Sequence, residues 1–405
     1  MATTSYVYHA LGLQGYQLLR TDVQNGEIAF HIERQRTKRQ CRSCGARYFQ
    51  LSLAGQYERR FYALPVGLRR QSIVLHGHRQ ECRACGTTAR EPVPFADGKR
   101  RYLRAFARYV ISLCNLMTLK SVANLLGVGW DLVKQIHKSH LETQLRGRRM
   151  SEVRYIAVDE FSIEKGHKYM TIVLDLETGV ILHAQEGRDA AALVSFLRRL
   201  KRCRAPLRAV GMDMSGGYAA AVREVFGDQV SIVYDRYHVV ALANKALDET
   251  RRDCVRELSK DDGGELKRTR FVLLKGLEKL SPDARQRLLE LNELNAPLFQ
   301  AYILKEHLRQ FWEERTAERA ERFLDAWIKE AKALDNPHFT RLAKTLDRHR
   351  VGLLAYFKHR ISSGPIEGTN NKIKVLKRQA YGFRDMAYFK LRLYFLHRAR
   401  TRLIG

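Results

Sequence analysis

The stretch Tyr155-Ile-Ala-Val-Asp159 is the best guide to the architecture of this 405-residue chain, because it is a short apolar run that ends in a carboxylate. The stretch Leu207-Arg-Ala-Val-Gly-Met-Asp213 ends in the same way. Short apolar runs bounded by polar residues predict buried β-strands. We therefore expect both aspartates to lie at the ends of strands.

Strands and helices are predicted to alternate around these two aspartates. We place strands at residues 154–159, 168–175, 179–184, 207–213 and 230–235, and helices at 188–202, 217–226 and from 237. The order βββαβαβα is that of a ribonuclease H-like domain, in which the first and fourth strands are neighbours. Asp159 and Asp213 are therefore expected to be close in space.

A third acidic residue, Glu367, follows the helix-start signal Ser362-Ser-Gly-Pro365 and leads into a basic helix. Asn370, Asn371 and Lys374 share its face, because residues at i+3, i+4 and i+7 lie on one side of a helix. The opposite, buried face is predicted to consist of Ile366, Ile373, Leu376 and Ala380. The alternative explanation for Glu367 is that a glutamate in the first turn is stabilised by the helix dipole.

Asp159, Asp213 and Glu367 together form a candidate catalytic set. Carboxylates are hard oxygen ligands, and three of them in one pocket suit two Mg²⁺ or Mn²⁺ ions. Two such ions polarise a nucleophile and stabilise the extra negative charge of a phosphodiester under in-line attack. The set therefore predicts hydrolysis or transfer of a nucleic-acid phosphodiester.

Asp235 and His238 follow the next predicted strand. They could support a metal ligand or position the DNA strand, or they could cap the following helix; the sequence favours neither. The residues predicted to support the metal site are Asp235, His238, Asn370 and Lys374. We exclude two other acids, because Asp175 begins a turn and Glu160 should point away from Asp159 along a continuing strand.

Four of the seven cysteines form two CxxC pairs, each followed by glycine. They are Cys41, Cys44, Cys82 and Cys85. A glycine there can adopt the positive φ that turns backbone N–H groups toward thiolate sulfur. The pattern predicts a structural Cys₄ zinc site in a zinc-ribbon-like domain. Neither pair begins a helix after a strand, which argues against a redox motif.

The remaining residues around these motifs have ordinary explanations. His76 and His78 are predicted to be polar strand residues, because four thiolates complete the zinc site. Asn25-Gly26 predicts a hairpin turn between two strands. The cysteines outside the pairs, Cys114, Cys203 and Cys254, are expected to be buried thiols.

Residues 119–136 have the layout of a helix-turn-helix. The apolar face of the first helix is predicted to be Val122, Ala123, Leu125 and Leu126. Gly127 permits the tight turn. From the second helix, Trp130, Val133 and Ile136 are predicted to face inward. A plain helical hairpin in a core is the alternative, but the flanking basic clusters favour DNA binding.

The net charge of +29 is concentrated at the two ends of the chain, with +16 in residues 1–150 and +9 in residues 368–405. A DNA-binding module and a DNA-facing helix need this segregation, whereas general solubility does not. A ribosome-associated or heparin-like surface is the alternative. The residues predicted to contact DNA are Lys120, Trp130, Lys134, Gln135, Lys138, Arg146, Arg148, Arg149, Lys372, Lys377 and Arg378.

The predicted fold class is α/β multidomain. Residues 1–98 are assigned to the zinc-binding domain, 99–150 to the helix-turn-helix and a basic linker, 151–258 and 359–405 to the two parts of a ribonuclease H-like catalytic core, and 259–358 to an all-helical insertion. Aromatic residues recur at helical spacing in this insertion. We expect them to form bundle core rather than a DNA-stacking surface.

In this order the motifs resemble those of DDE-type bacterial insertion-sequence transposases, in the group called ISL-three. Besides the CxxC pairs and the helix-turn-helix, the stretches that carry the resemblance are Ala157-Val-Asp159-Glu-Phe, Asp213-Met-Ser215, Tyr234-Asp-Arg-Tyr-His238-Val, Ser363-Gly-Pro-Ile-Glu367-Gly-Thr-Asn370-Asn-Lys-Ile-Lys and Tyr381-Gly-Phe-Arg384. The resemblance implies that Asp159, Asp213 and Glu367 are the metal ligands and that a helical insertion precedes the glutamate.

The function implied by the resemblance is that of a DNA transposase. It would bind terminal inverted repeats, cut DNA with activated water and join the freed 3′-OH to target DNA, so double-stranded DNA is the expected partner. Cutting two ends together suggests a homodimer or larger assembly. Because no long apolar run and no signal peptide is evident, we expect a cytoplasmic protein, nucleoid-associated on DNA, without a membrane partner.

Two other classes of protein fit these residues less well. A non-catalytic DNA-binding regulator with a degenerate nuclease fold would not need acids at all three positions. A stand-alone ribonuclease H-like nuclease would not need two specificity modules.

Overall fold

A computed structural model of the chain describes residues 7–146, 150–164, 168–187, 190–214, 216–257, 266–362 and 364–397. The chain forms two compact units, one of Met1–Arg146 with Arg398–Gly405 and one of Gly147–His397. Within the described residues, every helix is too short or too polar to cross a bilayer.

The first unit is built on a five-stranded sheet. Its strands are β1 (Tyr16–Gln24), β2 (Glu27–Arg34), β3 (Leu51–Tyr62), β4 (Arg70–Cys82) and β5 (Thr88–Arg90). The strand order is β1-β2-β4-β3, and β5 pairs with the end of β4. Asn25 and Gly26 join β1 to β2 in the predicted hairpin, and both have the positive φ that a type I′ turn requires.

Helices follow this sheet and share its core. They are α1 (Arg104–Cys114), α2 (Leu119–Leu126) and α3 (Trp130–Arg146). The helix α2 begins after Thr118, whose hydroxyl accepts a hydrogen bond from the N–H of Ser121. It ends at Gly127, which has a φ of 62°, so the predicted turn glycine is confirmed.

Two apolar residues of the helix pair differ from their predicted placement. The buried residues are Val122, Ala123, Leu126, Val133 and Ile136, as predicted. Leu125 is 59% exposed, because the other three residues of the predicted apolar face already fill the stripe that faces the core. Trp130 is 52% exposed, because it is the first residue of α3 and projects from the helix end. The predicted inward orientation of Trp130 is therefore wrong.

The second unit is built on another five-stranded sheet. Its strands are β6 (Tyr155–Glu164), β7 (Lys168–Asp175), β8 (Ile181–Glu186), β9 (Ala209–Met212) and β10 (Ser231–Tyr234). The strand order is β10-β9-β6-β7-β8. The first three strands in sequence are antiparallel, whereas β9 is parallel to both β6 and β10. The predicted pairing of the first and fourth strands is confirmed.

The connections of this sheet are helical. They are α4 (Ala190–Arg202) between β8 and β9, α5 (Gly216–Phe226) between β9 and β10, and α6 (Arg236–Glu257) after β10. The predicted order of strands and helices is thus confirmed among the described residues. Cys203 is exposed just after α4, where the helix has ended, so its predicted burial is wrong; Cys114 is buried and Cys254 half-buried.

A helical segment follows α6. It comprises α7 (Arg270–Leu274), α8 (Pro282–Leu294), α9 (Ala296–Leu308), α10 (Ala317–Ala333), α11 (Pro337–Arg348) and α12 (Arg350–His359). The predicted start at residue 259 lies outside the described residues. Phe311, Trp312 and Trp327 are buried in a core that continues into the sheet, so the expectation of bundle core is confirmed.

Two more helices, α13 (Gly364–Gln379) and α14 (Met386–Tyr394), cover the other face of the sheet. The residues of α13 in this core are Ile366, Ile373 and Leu376. Ala380 lies beyond the end of α13 and is exposed, so its predicted burial is wrong. Successive residues of a strand point to opposite faces. Ala157 of β6 therefore packs toward α13, and Val158 packs toward α4 and α5.

Candidate active site

Three acidic residues occupy equivalent positions just beyond the parallel pairing of adjacent strands. Asp213 and Asp235 directly follow β9 and β10. The prediction that a strand ends at Asp159 is wrong, because β6 continues to Glu164 through its pairing with β7. The pair Ala157 and Gly211 aligns β6 with β9, and Asp159 and Asp213 each lie two residues further along. The pair Tyr234 and Met212 aligns β10 with β9, and the next residue on each strand is an aspartate. Asp159 and Asp213 therefore lie at one level of the sheet, as the sequence predicted.

The helix α13 contacts Asp159 of β6 through a hydrogen bond. The side-chain Nδ2 of Asn370 donates to Oδ2 of Asp159 at 2.7 Å. The other carboxylate oxygen of Asp159 accepts from the N–H of Glu160 at 2.8 Å. Asn370 is thus bound directly to Asp159, a role that is more specific than the predicted support of the site.

The electrostatics of Asp159 favour a cation. Burial raises the pKa of Asp159 above its ordinary value, and the negative charge of Asp213 raises it further. The hydrogen bonds from Glu160 and Asn370 and the charge of His238 lower this pKa without reversing the direction. Two partly buried carboxylates that repel each other are stabilised when a positive ion binds beside them.

An oxygen atom of Asn370 also lacks a partner. Because Nδ2 is the atom that donates to Asp159, the orientation of the amide is determined. The remaining Oδ1 is buried and has no hydrogen-bond partner among the described residues. A buried acceptor without a partner is costly, and a bound cation or its water would satisfy it.

Glu367 lies on the first turn of α13 and is exposed. Its side chain shares the face of Asn370, one turn away. Within the described part of the chain, Asp159, Asp213 and Glu367 do not all come within 4.8 Å of one another. Two ions that are about 3.5–4 Å apart need ligands spread more widely than a single ion does, so this spacing does not exclude a pair of ions.

Asp235 caps α6, which is one of the two roles that the sequence left open, and it also contacts His238. Its Oδ1 accepts a hydrogen bond from the N–H of Tyr237, which caps α6, and its Oδ2 lies 2.9 Å from Nδ1 of His238. The hydrogen bond to Asp235 raises the pKa of His238, and the charges of Asp159 and Asp213 raise it further, against the effect of burial. Asp235 thus orients His238, whose imidazole is close enough to Asp159 and Asp213 to feel their negative charges.

The two excluded acids have structural partners. The hydroxyl of Tyr218 donates to Glu160 at 2.9 Å, on the face of β6 opposite Asp159. Asp175 accepts hydrogen bonds from the N–H of Glu177 and the hydroxyl of Thr178 in the turn after β7. Both exclusions are supported by these contacts.

The four paired cysteines converge in the first unit. The Sγ atoms of Cys41 and Cys85 lie 3.7 Å apart, as do those of Cys44 and Cys82. Among the described residues this is the only group of three or more His, Cys, Asp or Glu side chains whose ligand atoms all lie within 4.8 Å. A tetrahedron with zinc–sulfur bonds of about 2.3 Å has edges of about 3.8 Å, so the cluster fits zinc.

The glycines after the cysteine pairs adopt the predicted conformation. Gly45 and Gly86 have φ values of 74° and 66°. The chain can then turn back on the sulfur of the preceding cysteine. Hydrogen bonds from the hydroxyl and the backbone N–H of Thr87 lower the pKa of Cys85 to about 6. A thiol with a lowered pKa is more readily held as the thiolate that binds metal.

The sequence did not predict a polar network in the same unit. His31 is buried, with Nε2 2.9 Å from a carboxylate oxygen of Asp22 and Nδ1 2.8 Å from Nε2 of His76. His78 is also buried, and its Nδ1 lies 3.3 Å from a guanidinium nitrogen of Arg39. Both predicted strand histidines lie in β4, but hydrophobic periodicity gave no sign of their partners.

Comparisons with known families agree with this geometry. A DDE-type family model of the ISL3 group, described as a transposase, matches residues 156–393. A second model, described as the helix-turn-helix domain of transposase family ISL3, matches residues 91–141. The chain belongs to the ISL3 family of transposases. The transposase is therefore an enzyme that cleaves and transfers DNA.

Similar proteins have the same description. The transposase for insertion sequence element IS1001 of Bordetella parapertussis is 30% identical over 391 residues, which are 94% of this chain and 95% of that protein. The transposase for IS1557 of Mycobacterium tuberculosis is 30% identical over 372 residues, 86% of this chain and 83% of that protein. A Drosophila P element transposase strand transfer complex has a TM-score of 0.41 and 11% identity over 74% of this chain and 93% of that chain.

The helix-turn-helix of the transposase presents most of its predicted DNA-contact residues to solvent. Lys120, Trp130, Gln135 and Arg146 are exposed, and Lys134 and Lys138 are partly exposed. The ammonium of Lys134 lies 5.7 Å from the ring centroid of Trp130. Arg148 and Arg149 lie outside the described residues.

The basic residues of α13 differ in their availability. Lys374 and Arg378 are exposed. The ammonium of Lys372 lies 3.1 Å from Nδ1 of His397. The ammonium of Lys377 donates to the backbone carbonyl of Ser162 at 2.7 Å, so it ties α13 to β6.

Proposed function

We propose that the transposase binds the terminal inverted repeats of an insertion sequence, cleaves the DNA at those ends in a reaction that depends on divalent metal, and joins the freed 3′-OH to target DNA. Asp159, Asp213 and Glu367 are the proposed catalytic residues. The observation that carries the proposal is the hydrogen bond from Asn370 to Asp159. Asn370 lies one turn after Glu367, so this bond supports a site shared by α13 and the aspartates.

The catalytic core is proposed to be ribonuclease H-like. The strand order β10-β9-β6-β7-β8 supports this assignment, together with three antiparallel strands followed by two parallel ones. In open sheets of this kind, ligands bind beyond the carboxyl ends of the parallel strands. Asp213 and Asp235 directly follow the ends of β9 and β10, and Asp159 of β6 lies level with Asp213.

Mg²⁺ or Mn²⁺ is the proposed catalytic metal, with two ions held by Asp159, Asp213 and Glu367. The residues fit such ions, because the donor set consists of carboxylate oxygens with the partnerless Oδ1 of Asn370 beside them. When bound, these ions supply the Lewis acidity that activates a hydroxyl for attack on phosphorus.

Several other residues are proposed to orient the site and the DNA. Asn370 fixes the carboxylate of Asp159. Asp235 holds Nδ1 of His238, so Nε2 is the ring nitrogen that can bind a DNA phosphate. Lys374 is exposed one turn after Asn370 and is proposed to bind a phosphate as a point charge.

The other modules are proposed to recognise DNA. Zinc held by Cys41, Cys44, Cys82 and Cys85 would stabilise the zinc-ribbon-like domain of residues 1–98. The helix α3 of the segment 99–150 would enter the major groove, with Trp130, Lys134, Gln135 and Lys138 facing the bases and backbone. Lys120, Arg146, Arg148, Arg149, Lys372, Lys377 and Arg378 are the proposed backbone contacts.

The remaining assignments complete the proposal. Residues 151–258 and 359–405 form the catalytic core, and residues 259–358 form the helical insertion. A homodimer or larger assembly on DNA would bring two element ends together. The DNA-bound enzyme would then be associated with the nucleoid.

The test is cleavage of a duplex that carries the DNA bordering the gene, in the presence of Mg²⁺. Asp213→Asn removes a proposed metal ligand and should lower the cleavage rate by at least about 100-fold while binding of the duplex is retained. Asp283→Asn is the matched control, because Asp283 is exposed on the first turn of α8. It should cleave at the rate of the parent protein.

Equal cleavage by the parent and by Asp213→Asn would refute the proposed site. Binding without metal-dependent cleavage by the parent would instead indicate a DNA-binding regulator. Cleavage of RNA–DNA hybrids without any requirement for element ends would favour a stand-alone nuclease.

A further inference from the structure

The loop between α13 and α14 presents Tyr381 entirely to solvent. The residue is 100% exposed. Its backbone φ is 51°, in the left-handed region that residues with a Cβ seldom adopt. Strained backbone positions that bury no surface in return cluster at functional sites.

Two hydrogen bonds hold Tyr381 in the left-handed conformation. The N–H of Tyr381 donates to the carbonyl of Arg378 at 3.1 Å, and the N–H of Gly382 donates to the carbonyl of Lys377 at 3.0 Å. These are the two bonds of a Schellman motif, whose left-handed residue is usually glycine. In this chain the glycine, Gly382, comes one residue later. Tyr381 therefore occupies the left-handed position, where a glycine would cause less backbone strain.

The loop is anchored on the far side of Tyr381. The rings of Phe383 and the buried Phe389 stack with centroids 4.6 Å apart. Asp385 accepts a hydrogen bond from the N–H of Tyr388 and caps α14. Tyr381 is therefore presented by a fixed backbone, which reduces the conformational entropy that binding would cost.

The charge around Tyr381 suits a polyanion. Arg378 and Arg384 are exposed on either side of it, and neither has an acidic partner within the described part of the chain. An aromatic ring can stack on a nucleobase while arginines close to it in sequence contact phosphates. A second copy of this chain is a poorer occupant, since it would bring the same +9 of residues 368–405 to the contact.

The helix α13 connects Tyr381 to the proposed active site. Tyr381 follows Asn370 by eleven residues. At 1.5 Å per residue this is about 16 Å along the helix. A DNA strand advances about 3.4 Å per nucleotide, so the separation corresponds to about five nucleotides.

We propose that Tyr381 stacks on a base of the bound DNA about five nucleotides from the scissile phosphate, where a base pair is opened or a step is unstacked. The inference rests on the proposed function, because it takes DNA cleaved beside α13 as the ligand. Tyr381 is then a positioning residue, which fixes the register of the DNA relative to Asp159 and Glu367.

Two substitutions distinguish the effect of the aromatic ring from that of the backbone conformation. Asparagine tolerates the left-handed conformation, so Tyr381→Asn keeps the loop and removes the ring. Tyr381→Phe keeps the ring. Phe271→Ala is the matched control, because it removes another aromatic ring, 72% exposed on α7, from the same unit.

The assay uses the full chain in an Asp213→Asn background, with the fluorescent adenine analogue 2-aminopurine at successive positions of a duplex that carries the DNA bordering the gene. Binding should change the emission at one position. Tyr381→Asn should abolish this change and weaken binding roughly ten-fold. Tyr381→Phe and Phe271→Ala should retain both the emission change and the affinity.

Unchanged emission and affinity in Tyr381→Asn would overturn the inference. Equal losses in Tyr381→Asn and Tyr381→Phe would also overturn it, because the ring would not be the contact. So would dissociation of a DNA-free oligomer by Tyr381→Asn, which would assign the ring to self-association. The emission assay measures DNA binding and needs no cleavage. A negative result in this assay is therefore distinct from failure of the proposed function, which would appear as equal cleavage by Asp213→Asn and the parent protein.

Discussion

Asp159 receives one hydrogen bond from its own strand and one from a residue 211 positions later in the chain. Strand alternation directs Asp159 toward α13 and Glu160 toward Tyr218 on α5. A shift of one residue in the register of β6 would exchange these two acids. The identity of the acid at the site therefore depends on the buried residues on either side, Val158 and Phe161, which hold the register.

Two amide side chains of α13 provide a test at this scale. Asn370→Ala removes the amide that orients Asp159, so cleavage should fall by about 10–100-fold, as for other residues that orient a metal ligand. Gln379→Ala is the control, because Gln379 is an exposed amide at the opposite end of the same helix. It should have little effect on cleavage. Rates would be measured under single-turnover conditions at saturating DNA, and equal rates for the two variants would contradict the assigned role of Asn370.

At the scale of elements, α12 supports the strand that leads to Asp235. Gly352 of α12 faces Tyr234 of β10, and an added Cβ would lie 2.3 Å from a carbon of the tyrosine ring. Gly352→Ala should therefore force the helix and strand apart and destabilise the protein by about 1–3 kcal/mol. The measurement is the free energy of unfolding from denaturant titration.

Gly368→Ala is the matched control for Gly352→Ala. Gly368 lies inside α13, and an added Cβ there meets no atom within 4 Å. Alanine should stabilise the helix at that position by about 0.5–1 kcal/mol. Loss of stability in both variants, or in neither, would mean that the close approach of α12 to β10 does not constrain the fold.

Local sequence patterns predicted the positions of helices and strands better than they predicted which side chains are buried. Apolar runs predicted the five strands of the second unit, and Gly127 predicted the end of α2, because each depends on a few adjacent residues. The exposure of Leu125 and Ala380 was not predicted, because periodicity identifies an apolar stripe but not where its neighbours stop.

The candidate site was predictable to a similar extent. The proximity of Asp159 and Asp213 follows from the order of strands and helices, since the first and fourth strands are parallel neighbours. The continuation of β6 beyond Asp159 was not predicted, because it depends on pairing with β7. The bond between Asn370 and Asp159 depends on the angle at which α13 crosses the sheet, and side-chain packing sets that angle. The network of His31 and His76 also arises from pairing between β2 and β4, which no local pattern reveals.

At the scale of the molecule, the cluster of four cysteines, the proposed zinc site, belongs to the first of the two compact units. Structural zinc contributes on the order of 10 kcal/mol to the folding of small zinc domains. Cys44→Ser or chelation should therefore unfold or loosen residues 7–146 and abolish binding of end DNA, while residues 150–397 keep their protection from hydrogen exchange. Cys203→Ser is the control, because Cys203 is exposed in the other unit.

Hydrogen exchange followed by mass spectrometry would check this prediction along the whole chain. Equal protection of β3 and β4 in Cys44→Ser and Cys203→Ser would show that the thiolates do not hold metal. Loss of protection in β6 as well would show that the two units do not unfold separately.

The long sequence separation between Asp159 and Asn370 has a consequence for protein synthesis. While a ribosome is still translating the helical segment, the emerging polypeptide already contains the helix-turn-helix and both aspartates, Asp159 and Asp213. It lacks Asn370, whose amide binds Asp159, and Glu367, the third proposed catalytic residue. Under the proposed function, an incomplete chain would therefore bind DNA but would not cleave it until α13 has been translated.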